Sequence, residues 1–491
     1  MSVFLLCAIM LLGDAGMMTI QAAPSTGRAA NLVVIVRYQG DTVGDDDTGY
    51  NTPYTSQVSG APTTYWGLLQ RRFNGENDTF AIGSFREYLS RLSGGAHQVE
   101  SLFPQTVSGE RVEYITLDKT LAEYQGSNEI SLVAEVAQKL TEKYPTYDGT
   151  LLDRDGDGAI DNLMILASVP KTGQFTPHTT NAGNSYTFAG KTIGYYNILE
   201  TCTTTLSSGT FWDSFDIATA AHEYVHTFGV PDYYRTSGMN GTPVGMWDLM
   251  AGSLGRPSLL ATTRENIGWA KIAQKTATSS TYTLYDMDSA YANGGKSQAY
   301  KFYTPFSSSE YFVVEYRKPG KKYSADLDQN MSGAGLIVYR VNPAYATDGN
   351  LRGNDYIYVF RPDDTGGNAS AGDITKAAAG MPTYISGRQS IGSEDLSKTI
   401  VDNAICYSDG RNSGMTISVT AQTDDSITFD VTFPDYANMN LWETVTSQDG
   451  TTPLSTMNAS ATQLATDGNA IYVLAQNTNS STVMMERIGR I

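Results

Sequence analysis

The stretch from Phe215 to Tyr234, FDIATAAHEYVHTFGVPDYY, restricts what this chain can fold into more than any other part of the sequence. It contains two histidines four residues apart, His222 and His226, with Glu223 directly after the first. On a helix, residues four apart project from one face, so two imidazoles can reach one zinc ion at about 2.0–2.1 Å each. A carboxylate beside such an ion can accept a proton from metal-held water, which is the chemistry of zinc-dependent hydrolysis.

Other residues of this stretch predict a helix of defined length. Asp216 is a typical N-terminal cap, the alanines that follow are strong helix formers, and Gly229 is a natural stop. A chain that turns back at Gly229 brings Asp232 toward the histidines. The pattern His-Glu-x-x-His-x-x-Gly-x-x-Asp therefore predicts His222, His226 and Asp232 as the zinc ligands.

The extended pattern resembles that of metzincin-type metallopeptidases, with Asp in place of their third His. The resemblance implies that Met250 forms the tight methionine turn beneath the metal. More specifically, the chain resembles the immune inhibitor A family (M6) of secreted bacterial zinc metallopeptidases. The segments that carry this resemblance are SFREYLSRLSGG (84–95), DRDGDGAIDNLMILA (153–167), HEYVHTFGVPDYY (222–234), VGMWDLMAGS (244–253), RENIGWA (264–270) and GAGLIVYRV (333–341).

Two features of the site leave alternatives open. Family members often have an acidic residue directly after the motif aspartate, where this chain has Tyr233, but Asp232 keeps the ligand spacing. In thermolysin-type enzymes a glutamate on a later helix supplies the third ligand, and Glu265 is the candidate here. By position alone, Tyr233 or Tyr234 is a candidate donor to the oxyanion.

A second candidate metal site is the acidic loop DRDGDGAID (153–161), which directly precedes the apolar run NLMILA (162–167). Oxygen side chains alternate there, and Gly158 permits a sharp turn, as a calcium loop requires. The twelfth position is Met164 rather than Glu, so the loop is not a complete EF-hand. The resemblance to M6 members also favours calcium. The predicted ligands are Asp153, Asp155, Asp157 and Asp161.

Composition narrows the range of partners. The chain has 491 residues and a formal net charge of −18, which argues against nucleic acid and anionic membranes as partners.

There are three cysteines, and Cys7 lies in the N-terminal apolar run. Cys202 and Cys406 are either a disulfide pair or two unrelated thiols. The lone His97 is interpreted as structural or solvated, and His178 as a surface-loop histidine, with metal ligation as its alternative role.

The chain order predicts four parts. Residues 1–23 read as a signal peptide, since the apolar run 3–12 is too short to cross a bilayer and small residues follow it. Residues 24–275 form the expected catalytic domain, and 276–434 a β-rich domain of short alternating runs. Residues 435–491 are a polar Ser/Thr/Asn-rich segment, expected as a tail or the start of another β module.

Together these features predict an α+β fold. A metzincin-like domain with a twisted mixed sheet, an active-site helix and a methionine turn is followed by a β-sandwich-like domain. We expect Phe228, Trp212 and Trp247 in the apolar shell around the metal. The chain is predicted to be a secreted zinc endopeptidase that acts on proteins or peptides, with Glu223 as the general base. No transmembrane anchor is predicted, and the sequence leaves the oligomeric state open. The alternative is a non-catalytic secreted binding protein or adhesin that keeps the fold.

Overall fold

A computed structural model describes residues 24–41, 49–76, 83–124, 128–169, 177–202, 215–236, 241–292, 296–318, 327–328, 333–351, 353–362, 364 and 389–436. It also gives the strands within 459–490. The chain forms two compact units. The first comprises Met1–Pro231, Met246–Lys271 and Pro319–Asn330, and the second comprises Asp232–Gly245, Ile272–Lys318 and Met331–Ile491. The predicted domain boundaries stay predictions, and the signal peptide lies outside the described residues.

The first unit contains six α-helices and eleven strands among its described residues. The helices are α1 (Tyr65–Asn74), α2 (Phe85–Leu92), α3 (Leu121–Tyr124), α4 (Glu129–Lys143), α5 (Ile217–His226) and α6 (Ala261–Asn266). The strands are β1 (Gly27–Arg37), β2 (His97–Leu102), β3 (Thr106–Val107), β4 (Arg111–Val112), β5 (Ile115–Thr116), β6 (Ala159–Ile160), β7 (Leu163–Val169), β8 (His178–Asn181), β9 (Thr187–Phe188), β10 (Lys191–Ile193) and β11 (Tyr195–Cys202).

The centre of the first unit is a six-stranded mixed sheet. Its strand order is β2-β1-β7-β11-β8, with β5 pairing β1 beyond the end of β2. All pairs are parallel except β11 with β8, which is antiparallel. A central parallel strand is covered on both faces, which explains why β1 reads as the continuous apolar run NLVVIVR. Two small sheets, β6-β10-β9 and β3-β4, complete the unit.

Helices cover both faces of this sheet. Leu32, Val34 and Val36 of β1 share one buried cluster with five residues of α4, so α4 lies on that face. Side chains alternate along a strand, so the residues between them point to the opposite face. That face carries α5, because Asn197 of β11 hydrogen-bonds the Glu223 carbonyl from it.

The second unit is mainly β. Among its described residues the α-helix is α7 (Met287–Ala292), and the strands are β12 (Ala273–Lys275), β13 (Ser280–Tyr285), β14 (Ala299–Phe302), β15 (Tyr311–Arg317), β16 (Gly335–Val341), β17 (Ile357–Val359), β18 (Ser390–Gly392), β19 (Thr416–Gln422), β20 (Ser426–Thr432), β21 (Ala459–Thr466), β22 (Ala470–Asn477) and β23 (Val483–Arg490).

Two of its sheets pack face to face. One has the order β12-β14-β15-β16-β17 and the other the order β13-β20-β19-β18. A single buried cluster joins side chains of both sheets, among them Phe312 and Val338 of the first and Ile417 and Phe429 of the second. The arrangement is a β-sandwich. The α+β class is therefore confirmed, while the metzincin-like details stay a prediction. Strands β21, β22 and β23 form a separate antiparallel sheet.

Candidate metal centre

Helix α5 is fixed at both ends by the residues that the sequence indicated. The Asp216 carboxylate accepts hydrogen bonds from the Thr219 amide at 2.9 Å and its hydroxyl at 2.7 Å, which caps the N-terminus. The helix ends at His226, and Gly229 then takes a φ of +78°, a left-handed conformation that favours glycine. The turn after the helix is thus built by the predicted stop residue.

The two histidines face each other. Their Nε2 atoms lie 3.2 Å apart. His222 Nδ1 donates to the Leu249 carbonyl at 2.8 Å, and His226 Nδ1 donates to the Val230 carbonyl at 2.7 Å. A carbonyl oxygen only accepts, so both Nδ1 atoms carry hydrogen and both Nε2 lone pairs are directed at the same small volume. Two lone pairs at this distance repel each other, and a proton or a metal ion between them removes the repulsion.

Asp232 completes the cluster. One carboxylate oxygen of Asp232 and one ring nitrogen of each histidine lie within 4.8 Å of one another, all from eleven consecutive residues. In a tetrahedral site with Zn–N of about 2.0–2.1 Å, two ligand nitrogens lie about 3.3 Å apart. The observed separation and the donor set of two imidazoles and one carboxylate fit zinc.

Glu223 is buried on the same helix and is hydrogen-bonded to the edge of the sheet. The hydroxyl of Thr179 lies 2.6 Å from the Glu223 carbonyl and 3.0 Å from Oε2 of its carboxylate. The Asn197 amide donates to the same carbonyl at 3.1 Å and to the Thr179 hydroxyl at 2.9 Å. The backbone of Glu223 is therefore held by β8 and β11, and its carboxylate is held by Thr179 of β8.

Met250 is fully buried in a tight turn formed by Leu249–Ala251. Asp248 builds this turn, because its carboxylate accepts from the Met250 amide at 2.8 Å and the Leu260 amide at 2.7 Å. The turn presents the Leu249 carbonyl that orients His222. A buried aspartate thus fixes the ring of the first histidine through the backbone of the predicted methionine turn.

The candidate oxyanion donors differ in their surroundings. Tyr233 is fully buried, and its ring centroid lies 5.8 Å from that of Tyr356. Tyr234 is 42% exposed. Trp247 is buried, while Trp212 lies outside the described residues. No candidate metal cluster among the described residues includes Glu265.

The acidic loop brings three of its four aspartates together. Carboxylate oxygens of Asp153, Asp155 and Asp161 lie within 4.8 Å of one another, while Asp157 is not part of that cluster. Burial raises the pKa of Asp161 to about 7, and the neighbouring carboxylates add to this. Lys191 donates to Asp153 at 2.6 Å, a contact that the sequence did not indicate. Calcium at this loop stays a prediction.

The other residues that the sequence analysis singled out belong to neither candidate metal cluster of the described residues. His97 is fully buried; desolvation lowers its pKa to about 4. His178 lies on β8, and its Nε2 is 2.7 Å from the Glu129 carboxylate. Cys406 is a free thiol, whose pKa burial raises to about 12. The side chain of Cys202 lies outside the described residues, so the candidate disulfide has no support here and stays a prediction.

Sequence reasoning missed the polar partners of Glu223. Asn31, Asn162 and Asn197 stand directly before the apolar runs of three neighbouring strands, in the dipeptides Asn-Leu, Asn-Leu and Asn-Ile. A polar residue repeated at the same place in three buried strands was the available signal. Asp248, between Trp247 and the methionine turn, carried no signal of its own.

Comparisons with known proteins give a partial similarity. No family model matches the chain. The pre-pro-metalloprotease PrtV of Vibrio cholerae serotype O1, in two strains, is 28% identical over 226 residues, which cover 39% of this chain. This chain spans 23% of the length of those relatives. Over the matched part, the chain is similar to a metalloprotease.

One solved structure aligns over more of the chain. Catalytically inactive OgpA from Akkermansia muciniphila, in complex with an O-glycopeptide substrate, covers 69% of this chain and 89% of its own, with 12% identity and a TM-score of 0.25. Separately, no helix in the described ranges combines the length and the apolar character that a bilayer crossing requires.

Proposed function

We propose that this chain is a zinc-dependent endopeptidase that hydrolyses peptide bonds in proteins or peptides. The observation that carries the proposal is the pair of Nε2 atoms of His222 and His226, 3.2 Å apart, with a carboxylate oxygen of Asp232 within 4.8 Å. Glu223 lies directly beside the first histidine in the sequence. Similarity to a metalloprotease over part of the chain supports the same conclusion.

His222, His226 and Asp232 would hold the zinc. When bound, zinc lowers the pKa of a coordinated water to about 7 and polarises a substrate carbonyl. The protein keeps both imidazoles in the correct tautomer, because the Leu249 and Val230 carbonyls accept their Nδ1 hydrogens.

Glu223 moves the protons of the reaction. Its carboxylate accepts a proton from the attacking water and returns it to the nitrogen of the leaving amine. Burial of Glu223 and its contact with Thr179 restrict the carboxylate to few rotamers. Tyr234, the more exposed of the two tyrosines, is our candidate for the oxyanion donor.

Strand β8 is the proposed place for the substrate backbone. It ends the strand order of the main sheet, and its described pairing is with β11 on one side. An extended peptide can add to such an edge through main-chain hydrogen bonds. Thr179, which contacts Glu223, lies on this strand, so a peptide there would run past the general base.

Three finer statements belong to the same proposal. The resemblance to the immune inhibitor A family supports membership of it. The apolar run 3–12, outside the described residues, supports export of the protein. Calcium at the acidic loop is the third, and Asp153, Asp155 and Asp161 are the residues that would hold it.

Zinc content and casein hydrolysis, measured on wild type and on Glu223→Gln, test the central claim. We expect one zinc per chain in both proteins and hydrolysis in the wild type alone, because the variant keeps the ligands and loses the base. Zinc in both proteins with hydrolysis in neither would favour the binding-protein alternative. Folded wild type that takes up no zinc would refute the proposal.

A further inference from the structure

A chain of hydrogen-bonded polar side chains crosses the main sheet and ends at Glu223. Its side chains come, in order, from β2, from β1, from the residue directly before β7, from β11 and from β8. We call it the polar ladder; its members are Ser101, Asn31, Asn162, Asn197 and Thr179. The successive donor–acceptor distances are 3.2, 2.7, 2.7 and 2.9 Å.

The ladder is buried at nearly every step. Asn31, Asn162 and Asn197 have no exposed surface, and Ser101 is 3% exposed. A buried amide without partners costs about 1–3 kcal/mol, so three of them in one core are retained only when they bond one another or serve a purpose. The three amides lie in neighbouring strands, where each can reach the next.

One backbone carbonyl sets the direction of the ladder. The Glu223 carbonyl only accepts, so Asn197 must turn its amide nitrogen toward it. Oδ1 of Asn197 then faces Asn162, which must donate with its own nitrogen. The same nitrogen of Asn162 donates to Asn31, which in turn donates to Ser101. Every amide orientation follows from the first.

The same reasoning fixes the direction in which the hydroxyl of Thr179 donates its hydrogen. Its oxygen accepts from the Asn197 nitrogen at 2.9 Å, so its single hydrogen is left to donate elsewhere. The acceptors within reach are the Glu223 carbonyl at 2.6 Å and Glu223 Oε2 at 3.0 Å. Both acceptors belong to one residue, so the hydrogen is shared between the nearer Glu223 carbonyl and Oε2 in a bifurcated bond, which links the carboxylate to strand β8.

We propose that Thr179 and Asn197 are positioning residues for Glu223. This inference rests on the proposed function, in which Glu223 is the general base. A general base must lie within hydrogen-bond reach of the proton it takes, and a freely rotating carboxylate spends part of its time elsewhere. Asn197 keeps the hydrogen of Thr179 directed at Glu223, and Thr179 holds the carboxylate in one orientation.

The test compares Thr179→Val, which has the same shape without the hydroxyl, with Thr179→Ser, which keeps it. We expect Thr179→Val to lower kcat about 10-fold, the loss of one hydrogen bond of ordinary strength, with KM and zinc content unchanged. Thr179→Ser should retain kcat within about 3-fold of wild type. Thr187→Val, an exposed site on β9, is the matched control and should leave kcat unchanged.

A merely structural role would not give this pattern. Wild-type kcat in Thr179→Val would overturn the proposal, as would an equal loss in Thr179→Ser, or a loss of zinc in step with activity. A crystal structure of zinc-free Thr179→Val separates the ladder from the proposed function. Glu223 should leave its wild-type rotamer there, whether or not the enzyme hydrolyses peptides. An unchanged rotamer would refute the positioning role by itself.

Discussion

Two motifs of this chain, the acidic loop and the histidine motif of α5, predict a metal ion, but the surroundings of their side chains differ. In the acidic loop the aspartates already have donors from the protein itself. On α5, the Nε2 lone pairs of His222 and His226 point at each other. The comparison shows that a motif indicates which side chains meet, whereas the surrounding donors decide how strongly they need a cation.

Asp153 shows the first case. Its Oδ1 accepts from the amides of Gly156 at 2.7 Å and Asp157 at 3.0 Å, and its Oδ2 accepts from the Gly158 amide at 3.0 Å. Lys191 adds the fourth hydrogen bond at 2.6 Å. A carboxylate has about four acceptor sites, so the full capacity of Asp153 is used. A calcium ion must share these oxygens or displace Lys191.

His222 and His226 show the second case. Each ring uses its Nδ1 hydrogen on a backbone carbonyl, which leaves the lone pairs of the two Nε2 atoms 3.2 Å apart. A proton or a metal ion between them removes the repulsion. The backbone therefore fixes a geometry that a cation stabilises, and the loop around Asp153 does not have this requirement.

The largest expected effect comes from removing a ligand of the histidine cluster. We expect His226→Ala and Asp232→Ala to lose zinc and to lower kcat/KM at least about 10³-fold, because three protein ligands are needed to keep the fourth position for water. Zinc content and peptide hydrolysis measure both effects.

Glu265→Ala is the matched control, since Glu265 was the alternative third ligand and belongs to no metal cluster among the described residues. It should keep both zinc and activity. Zinc loss in Glu265→Ala together with zinc retention in Asp232→Ala would reverse the ligand assignment.

The sequence was sufficient for the local parts of this site. Asp216 caps the start of α5 and Gly229 forms the turn after its end, as their residue types predict. The spacing of the two histidines and Asp232 was enough to predict that three ligand atoms meet. These features depend on residues within about one helix length of each other. Helix geometry and the glycine turn that follows the helix therefore determine them.

The hydrogen bonds of the polar ladder and the contact of Lys191 with Asp153 depend on strand register, which could not be predicted from the sequence. Asn31 and Asn162 are 131 positions apart, and Lys191 lies 38 positions from Asp153. They meet because β1 pairs β7 and β10 pairs β6. A shift of one residue in either pairing would turn these side chains to the other face.

His97 is a third histidine with a different environment, because burial keeps its imidazole neutral. Its ring stacks 5.7 Å from Trp269 and bonds the Tyr224 hydroxyl at 3.2 Å, and burial lowers its pKa to about 4. The unfolded chain, with a pKa near 6.5, binds more protons between these values. Stability is thus fully present above pH 6.5 and falls as the pH drops toward 4.

We expect His97 to contribute a loss of about 2 kcal/mol in the free energy of unfolding between pH 6.5 and 4.5. Urea unfolding of the zinc-free protein at several pH values measures it. His97→Phe keeps an aromatic ring and cannot titrate, so its stability should fall less over the same range. Equal pH dependence in both proteins would show that His97 is not the titrating group.

The smallest effect concerns the ion pair of the acidic loop. Lys191 lies on β10 with its side chain 24% exposed, and the side chain of Asp153 is fully buried. Lys191→Met removes the ammonium and keeps most of the apolar stem. We expect calcium to bind the variant about 5-fold more tightly than the wild type, since the ion no longer competes with a charge-assisted hydrogen bond at a partly exposed pair.

Isothermal titration of calcium into both proteins measures the difference. Lys139→Met is the matched control, because Lys139 pairs with Asp118 at 2.7 Å and lies on α4; it makes the same change of net charge and should leave calcium affinity at the wild-type value. Tighter binding in Lys191→Met alone would establish that the lysine and calcium compete for Asp153. Equal affinity in all three proteins would mean that any calcium is held by other oxygens of the loop, and that Lys191 neutralises Asp153 without excluding the ion.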